Sequence, residues 1–238
     1  MAFLYDSILT LIYPQACEIC SKSVEQQADG NVCAECWANT QIFTGNETLC
    51  SKCGEFLNDS PQKFETFCRR CDDDFYDSVK TIGAYEDALL TSIISLKHTP
   101  YTPERLQKLF YETFQNSDFQ DANLIIPVPL SKKRLADRGF NQADILANNF
   151  AKQTGITLDK ISLRRKIHTE KSRRGMDRKS RYESVKNAFE VVSPRLIEGR
   201  KILLIDDVFT SGATVSNCAK ALKKSGAEKV YVLTVARS

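Results

Sequence analysis

The stretch ILLIDDVFTSGAT, residues 202–214, is the most informative part of this chain for its fold. Four apolar residues run into two adjacent carboxylates, which places Asp206 and Asp207 at the carboxyl end of a buried strand. A short loop of hydroxyl residues and glycine follows and opens a helix. Ligands of open α/β sheets bind at this end of the strands. The stretch therefore predicts a binding site at the edge of a parallel sheet.

The composition of the loop favours a phosphate group. Gly212 lets the backbone approach an anion closely, and backbone N–H groups from residues 210–214 can point at a phosphate at the helix N-terminus. Thr210, Ser211 and Thr214 add hydroxyl donors. The two preceding carboxylates can accept hydrogen bonds from vicinal ribose hydroxyls. The order predicts a sugar-phosphate site, although acidic strand ends also bind Mg²⁺ or cap helices.

Strands and helices alternate through residues 76–238. Apolar runs predict strands at 79–85, 124–128, 201–206 and 230–235, and periodic patterns predict helices at 86–97, 143–154 and 213–225. Such alternation predicts an α/β domain with a parallel sheet covered by helices. Cys218 lies on the apolar face of the last helix, so we interpret it as a core thiol.

Eight of the nine cysteines form Cys-x-x-Cys pairs within the first 71 residues. The pairs are Cys17/Cys20, Cys33/Cys36, Cys50/Cys53 and Cys68/Cys71. Two such pairs joined by about 12–20 residues make a four-thiolate zinc site, so the spacing predicts a double zinc ribbon with two structural Zn²⁺ ions. The first two pairs would hold one ion and the last two the other, although an interleaved arrangement fits the same spacing. Disulfides are the alternative, but they persist mainly in oxidising compartments.

The zinc module is predicted to span residues 1–75, and the α/β domain residues 76–238. Residues 1–75 carry a net charge of −7 and end in an acidic run at 72–74. Because this charge disfavours nucleic acid, we interpret the module as a packing surface or a docking site for partner proteins. Apolar residues at helical spacing within 3–12 predict a short docking helix before Pro14.

The stretch at 202–214 resembles the fingerprint of the type I phosphoribosyltransferases. That fingerprint is four apolar residues, two acids, two apolar residues, a hydroxyl-rich run and Gly-x-Thr; Phe209 is larger than its usual aliphatic residue. The resemblance implies that the catalytic-site residues Asp206 and Asp207 hold the ribose hydroxyls of phosphoribosyl pyrophosphate, which binds with Mg²⁺. It also implies a 5′-phosphate site made of Thr210, Ser211, Gly212, Ala213 and Thr214.

Further motifs narrow the resemblance to the ComF family of competence proteins. They are PVPL at 127–130, KKR at 132–134, RGFNQ at 138–142, LRR at 163–165, Thr169 and residues 185–189. The resemblance covers nearly the whole chain, with departures near Lys171, Ser184 and Asn187. It implies a type I phosphoribosyltransferase-like parallel sheet preceded by a small N-terminal double zinc ribbon. It also implies a role in natural transformation on the cytoplasmic side of the membrane.

A basic block at residues 131–186 carries a net charge of +10, which indicates an anionic ligand or a solvated loop. By the resemblance, the candidates for pyrophosphate contact are Lys132, Lys133, Arg134 and Arg138. Residues 166–181 are interpreted as a mobile lid. Its candidate contacts for ligand or nucleic acid are Lys171, Arg173, Arg174, Arg178 and Arg181.

Three functions stay open at this point. The first is a DNA-uptake protein that binds phosphoribosyl pyrophosphate and, through its basic block, single-stranded DNA, with other DNA-uptake proteins docking on the zinc module. The second is an active phosphoribosyltransferase with an acceptor that the sequence does not identify, and the third is a non-catalytic sensor of the same ligand. No apolar run approaches the roughly 18 residues of a membrane span. Residues 1–13 make a poor secretory signal, so we expect a cytoplasmic protein.

Overall fold

The computed structural model describes residues 15–45, 47–57, 66–166 and 187–238. The predicted N-terminal helix lies outside the described residues. So do the predicted lid contacts Lys171, Arg173, Arg174, Arg178 and Arg181. Among the helices of the described part, none is long and apolar enough to cross a bilayer.

Four parallel strands form the main sheet of the described chain. They are β1 (Ser78–Ala84), β2 (Leu124–Pro127), β5 (Lys201–Phe209) and β6 (Lys229–Arg237), and a separate antiparallel pair consists of β3 (Leu163–Arg165) and β4 (Phe189–Val191). The order across the main sheet is β1-β6-β5-β2, and each pairing is parallel. The predicted fold class is therefore confirmed.

Helices cover both faces of this sheet. The helices of the described chain are α1 (Ala34–Asn39), α2 (Asp87–Leu96), α3 (Glu104–Gln115), α4 (Lys132–Arg138), α5 (Gln142–Thr154) and α6 (Ala213–Lys224). Of these, α2, α3, α5 and α6 bury apolar residues against the sheet. Short 3-10 turns lie at Gln27–Asp29, Arg69–Cys71 and Pro194–Leu196. The predicted helices correspond to α2, α5 and α6, and Cys218 is fully buried as predicted. Three helices, α1, α3 and α4, were not predicted.

The strand that carries the carboxylates is longer than the sequence pattern indicated. The predicted strand at 201–206 is too short, because β5 continues to Phe209. Parallel pairing with β6 extends through Asp206 opposite Thr234 and Phe209 opposite Arg237. Backbone partners on β6 thus keep the two carboxylates inside the strand, with the hydroxyl loop starting after them.

The two predicted zinc ribbons pack against opposite faces of the sheet. Cys17, Cys33 and Trp37 are buried in one cluster with Ile82 of β1 and the inward faces of α2 and α3. The other face has its own cluster, in which second-ribbon cysteines join β1 and α6; its ribbon members are Cys50, Cys53 and Cys71. Each ribbon therefore contributes to one of the two hydrophobic cores of the α/β domain.

A segment between the ribbons covers the outer edge of β1. The N–H of Phe43 donates to the carbonyl of Ile82 at 2.8 Å, and the N–H of Ala84 donates to the carbonyl of Gln41 at 3.1 Å. Any Cβ on Gly83 would overlap the Gln41 carbonyl oxygen, so this close approach requires glycine. The segment closes an edge that could otherwise pair with another chain.

The predicted domain boundary at residue 75 stays a prediction. Close contacts join the residues near it to both modules. The Tyr76 hydroxyl donates to Asp74 Oδ2 at 2.8 Å, and Lys52 Nζ donates to the Asp74 carbonyl at 2.9 Å. Tyr76 itself is buried in the cluster that contains the second-ribbon cysteines. The acidic run at 72–74 is therefore held between two packed units.

Candidate functional site

The eight paired cysteines gather into two groups of four. The groups are Cys17, Cys20, Cys33 and Cys36, and Cys50, Cys53, Cys68 and Cys71. Sulfur atoms lie 3.6 Å apart for Cys20 and Cys33 and 3.5 Å apart for Cys53 and Cys68. Zn–S bonds of about 2.3 Å in a tetrahedron require sulfurs about 3.8 Å apart, whereas a disulfide requires about 2.05 Å. Both groups fit structural zinc, and the sequential pairing applies.

Each cluster contains a thiol that the backbone stabilises as a thiolate. Burial raises the pKa of Cys17, but hydrogen bonds from backbone N–H groups, led by Cys33, outweigh it and lower the pKa to about 6. Burial acts likewise on Cys50, where backbone donors led by the Cys68 N–H at 3.2 Å lower the pKa to about 7. Zinc binds the thiolate form, so these donors favour metal binding near neutral pH.

A cavity of about 480 Å³ opens at the carboxyl ends of β1, β2 and β5. Asp206 and Asp207 line it, together with Thr210, Ser211, Ala213 and Thr214 of the hydroxyl loop. Residues 128–130 after β2 and Tyr85 after β1 form other parts of the lining. The volume lies within the range of about 300–1,000 Å³ that is usual for small-molecule sites.

The hydroxyl loop has a backbone conformation that suits glycine. Gly212 precedes α6 with φ of 75°, in the left-handed region that favours glycine. A Cβ at Gly212 would lie 2.9 Å from Phe209 Cζ and 3.2 Å from the Tyr76 hydroxyl oxygen. The loop therefore rests directly on two aromatic side chains, and it leads into a twelve-residue helix whose N-terminus favours an anion.

Phe209, which departs from the usual fingerprint, connects the loop to the second zinc cluster. Its ring packs edge-on against Tyr76, with centroids 6.0 Å apart, and the Arg237 guanidinium lies 4.9 Å from its centroid. Arg237 in turn donates to the carbonyl of Cys53 and to the carboxylate of Glu55. The large aromatic residue thus occupies the space between the loop and the ribbon.

The two adjacent carboxylates are oriented by the local backbone. Asp206 Oδ1 accepts a hydrogen bond of 2.9 Å from the N–H of Asp207. Asp207 Oδ1 accepts one of 2.8 Å from the N–H of Val208. Both side chains are half-buried at the cavity edge. These contacts fix the direction of each carboxylate before any ligand arrives.

Two of the four predicted pyrophosphate residues line the cavity. Arg134 and Arg138 contribute to its lining, whereas Lys132 and Lys133 are exposed and lie outside it. The four residues lie on the helix α4, and residues four apart share one helix face. Helical phase therefore separates the arginines from the lysines.

Several lining residues were not assigned a role from the sequence. They are Tyr85, Lys97, Asn141, Gln142 and Arg165. Burial lowers the pKa of Arg165, and the nearby charge of Arg134 lowers it further. The Arg165 guanidinium also lies 5.4 Å from the ring centroid of Phe189. The motifs RGFNQ and LRR contained three of these residues, but nothing in them indicated that they face one cavity.

Comparison with known proteins agrees with both modules. Residues 8–73 match the family described as double zinc ribbon domain, and residues 134–238 match the phosphoribosyl transferase domain. Competence protein F of Haemophilus influenzae is 29% identical over 89% of this chain and 92% of its own length. Competence protein ComFC of Bacillus subtilis is 27% identical over 88% of this chain and 85% of its own. DNA utilization protein YhgH of Salmonella typhi is 25% identical over 97% of this chain and 93% of its own.

Proposed function

Because the chain belongs to the ComF family, with a double zinc ribbon ahead of a phosphoribosyltransferase domain, we propose that its cavity binds phosphoribosyl pyrophosphate with Mg²⁺. One observation carries the proposal. The carboxylates Asp206 and Asp207, the hydroxyl loop at the N-terminus of α6 and the arginines of α4 all line the same cavity. Such a site offers acceptors for sugar hydroxyls and donors for two separate phosphate groups.

The parts of the ligand are assigned to parts of the cavity by their chemistry. Asp206 and Asp207 accept hydrogen bonds from the ribose hydroxyls. The 5′-phosphate takes the loop donors, which come from Thr210, Ser211, Gly212, Ala213 and Thr214. Arg134 and Arg138 bind the pyrophosphate, because guanidinium groups form paired hydrogen bonds with phosphate oxygens. Mg²⁺ supplies further positive charge beside the pyrophosphate.

Replacing Asp206 and Asp207 together by alanine should weaken binding of phosphoribosyl pyrophosphate by at least about 100-fold. Removing negative charge by itself would favour an anionic ligand, so a loss of affinity must come from the missing hydrogen-bond acceptors. Titration calorimetry with Mg²⁺ present measures this change. The matched control replaces Asp72 and Asp73, an exposed adjacent acidic pair, by alanine. Absence of binding heat for the unaltered chain would refute the proposal.

Catalysis is tested separately from binding. A transferase releases pyrophosphate when an amine or a nucleobase acceptor is added, whereas a ligand sensor binds without release. The protein would act on such a reaction mainly by positioning the ligand and stabilising developing charge. A pyrophosphate-release assay over a panel of acceptors therefore distinguishes the two roles on one purified sample.

The second part of the proposal is that the basic block binds single-stranded DNA. Lys132 and Lys133 are exposed and lie outside the cavity lining, so their charges are directed to solvent, where a longer polyanion can reach them. Two of the similar proteins have names that refer to competence and one has a name that refers to DNA utilization. Together these observations favour a phosphodiester contact next to the ligand cavity.

Replacing Lys132 and Lys133 by alanine should weaken single-strand binding and flatten its salt dependence by about 1.4 logarithmic units per decade, since each single-strand phosphate contact contributes about 0.7. Fluorescence anisotropy at several salt concentrations measures the slope. The control replaces Lys108 and Lys152, which line a different cleft. An unchanged slope would exclude Lys132 and Lys133 from the DNA surface. A variant with Arg173, Arg174, Arg178 and Arg181 replaced by alanine extends the test to the predicted lid.

A further inference from the structure

The buried side chain of Gln142 has a hydrogen-bond donor that no described residue satisfies. Gln142 is the first residue of α5 and is 2% exposed, yet it lines the cavity beside Asp206 and Asp207. Its Oε1 accepts a hydrogen bond of 2.8 Å from Arg138 Nη1, whereas its Nε2 has no partner in the described part of the chain. A buried polar group without a partner destabilises a protein, so folded proteins rarely retain one without a reason.

Arg138 determines the direction of this amide. A guanidinium carries donors and no acceptor, so the atom of Gln142 that faces it must be Oε1. Turning the amide by 180° would set N–H groups against N–H groups. The NH₂ group therefore points away from Arg138, and its lack of a partner follows from the arginine contact.

The position of Gln142 separates it from the other buried groups that lack partners. In the described ranges these are Asp159 Oδ2, Ser162 Oγ and Thr234 Oγ1. None of those three residues lines the cavity. Among these four residues Gln142 alone lines the cavity, so a ligand there can satisfy its amide once the side chain shifts enough to expose Nε2, which is shielded from solvent in this structure.

We propose that Gln142 recognises the pyrophosphate group of the ligand, an inference that rests on the proposed function. Its Oε1 holds the Arg138 guanidinium in place, and its Nε2 donates a hydrogen bond to a pyrophosphate oxygen. The pyrophosphate is the relevant group because Gln142 is joined to Arg138 on the α4 side of the cavity. The 5′-phosphate belongs to residues 210–214 on the β5 side. An NH₂ group that cannot accept a hydrogen bond requires an acceptor such as a phosphate oxygen.

The test uses the full chain with Gln142→Met, which keeps the side-chain length and removes the amide. Calorimetry with Mg²⁺ present compares phosphoribosyl pyrophosphate, inorganic pyrophosphate and ribose 5-phosphate. We expect affinity for the first two ligands to fall about 10- to 100-fold and affinity for ribose 5-phosphate to stay within about twofold. The unliganded thermal midpoint should change little, because removal of the unsatisfied donor offsets the loss of the acceptor for Arg138. Gln153→Met, at the exposed end of the same helix, should change none of these values.

A second variant, Gln142→Glu, separates the two contacts of the side chain. It keeps an acceptor for Arg138 but replaces the donor with a carboxylate oxygen that repels pyrophosphate. We expect it to bind pyrophosphate more weakly than Gln142→Met does. Unaltered binding in Gln142→Glu, or an equal loss for ribose 5-phosphate, would overturn the role of Gln142. Absence of phosphoribosyl pyrophosphate binding in the unaltered chain would instead overturn the proposed function and this inference with it.

Discussion

A chain in which Cys50 and Cys53 are replaced by serine should retain one zinc ion and fail to keep its α/β domain folded near physiological temperature. Structural zinc contributes an apparent ~10–16 kcal/mol in isolated zinc fingers, while whole domains are stable by only ~5–15 kcal/mol. Both cysteines are buried with Val79 of β1 and Ile202 of β5. Loss of the ion therefore removes part of a core that the sheet shares. Elemental analysis and thermal unfolding followed by circular dichroism measure the two effects.

The control for this variant is Cys218→Ala. Cys218 is fully buried in the same hydrophobic cluster but belongs to neither group of four sulfurs. Its replacement leaves a small cavity, so we expect two bound zinc ions and a destabilisation of about 1 kcal/mol. A serine variant that melts like the unaltered chain would show that the second ion does not support the domain. Loss of zinc from Cys218→Ala would contradict the ligand sets.

The main sheet was predictable because its buried strands have a recognisable apolar pattern in the sequence. The central residues of β5, 202–205, are fully buried, and a strand buried on both faces appears as a continuous apolar run. The helix α3 also had a signal, since Leu106, Phe110 and Phe114 recur every four residues and are buried. That stripe is typical of an amphipathic helix.

Other elements have no apolar pattern that predicts them. None of the residues of α4 is buried, so its sequence KKRLADR has no apolar period that separates a helix from a basic loop. The strands β3 and β4 have three residues each and pair across a separation of more than 20 positions. Tertiary packing, rather than local pattern, determines elements of this kind.

Some residues of the candidate site could be predicted from a local motif, whereas others could not. Asp206, Asp207 and the hydroxyl loop are contiguous, so one motif predicts them together. Tyr85, Lys97 and Arg165 follow or belong to three separate elements, and only tertiary packing brings them to one cavity. Spacing likewise allowed two zinc pairings. The arrangement is sequential because each ribbon packs on its own face of the sheet.

Replacing Gly212 by valine should abolish measurable binding of phosphoribosyl pyrophosphate, a loss of more than about 1,000-fold. A β-branched residue at φ of 75° is strained. Its Cβ would also press on Phe209 and Tyr76, and Arg237 and the second ribbon hold Phe209 from the other side. The loop must then move away from the aromatic rings, which displaces the backbone donors that the 5′-phosphate requires. Calorimetry with Mg²⁺ present measures the loss.

Gly155→Val isolates the steric part of this effect. Gly155 has φ of 74° at the end of α5, and a Cβ there meets no atom within 4 Å. The two variants share the backbone strain, which costs about 1–2 kcal/mol. Only in Gly212→Val does the added Cβ also meet neighbouring side chains beneath the loop. We expect Gly155→Val to lower stability and to bind ligand as the unaltered chain does. Equal affinities in the two variants would mean that the phosphate is held elsewhere, because a displaced loop at 210–214 could not bind it unchanged.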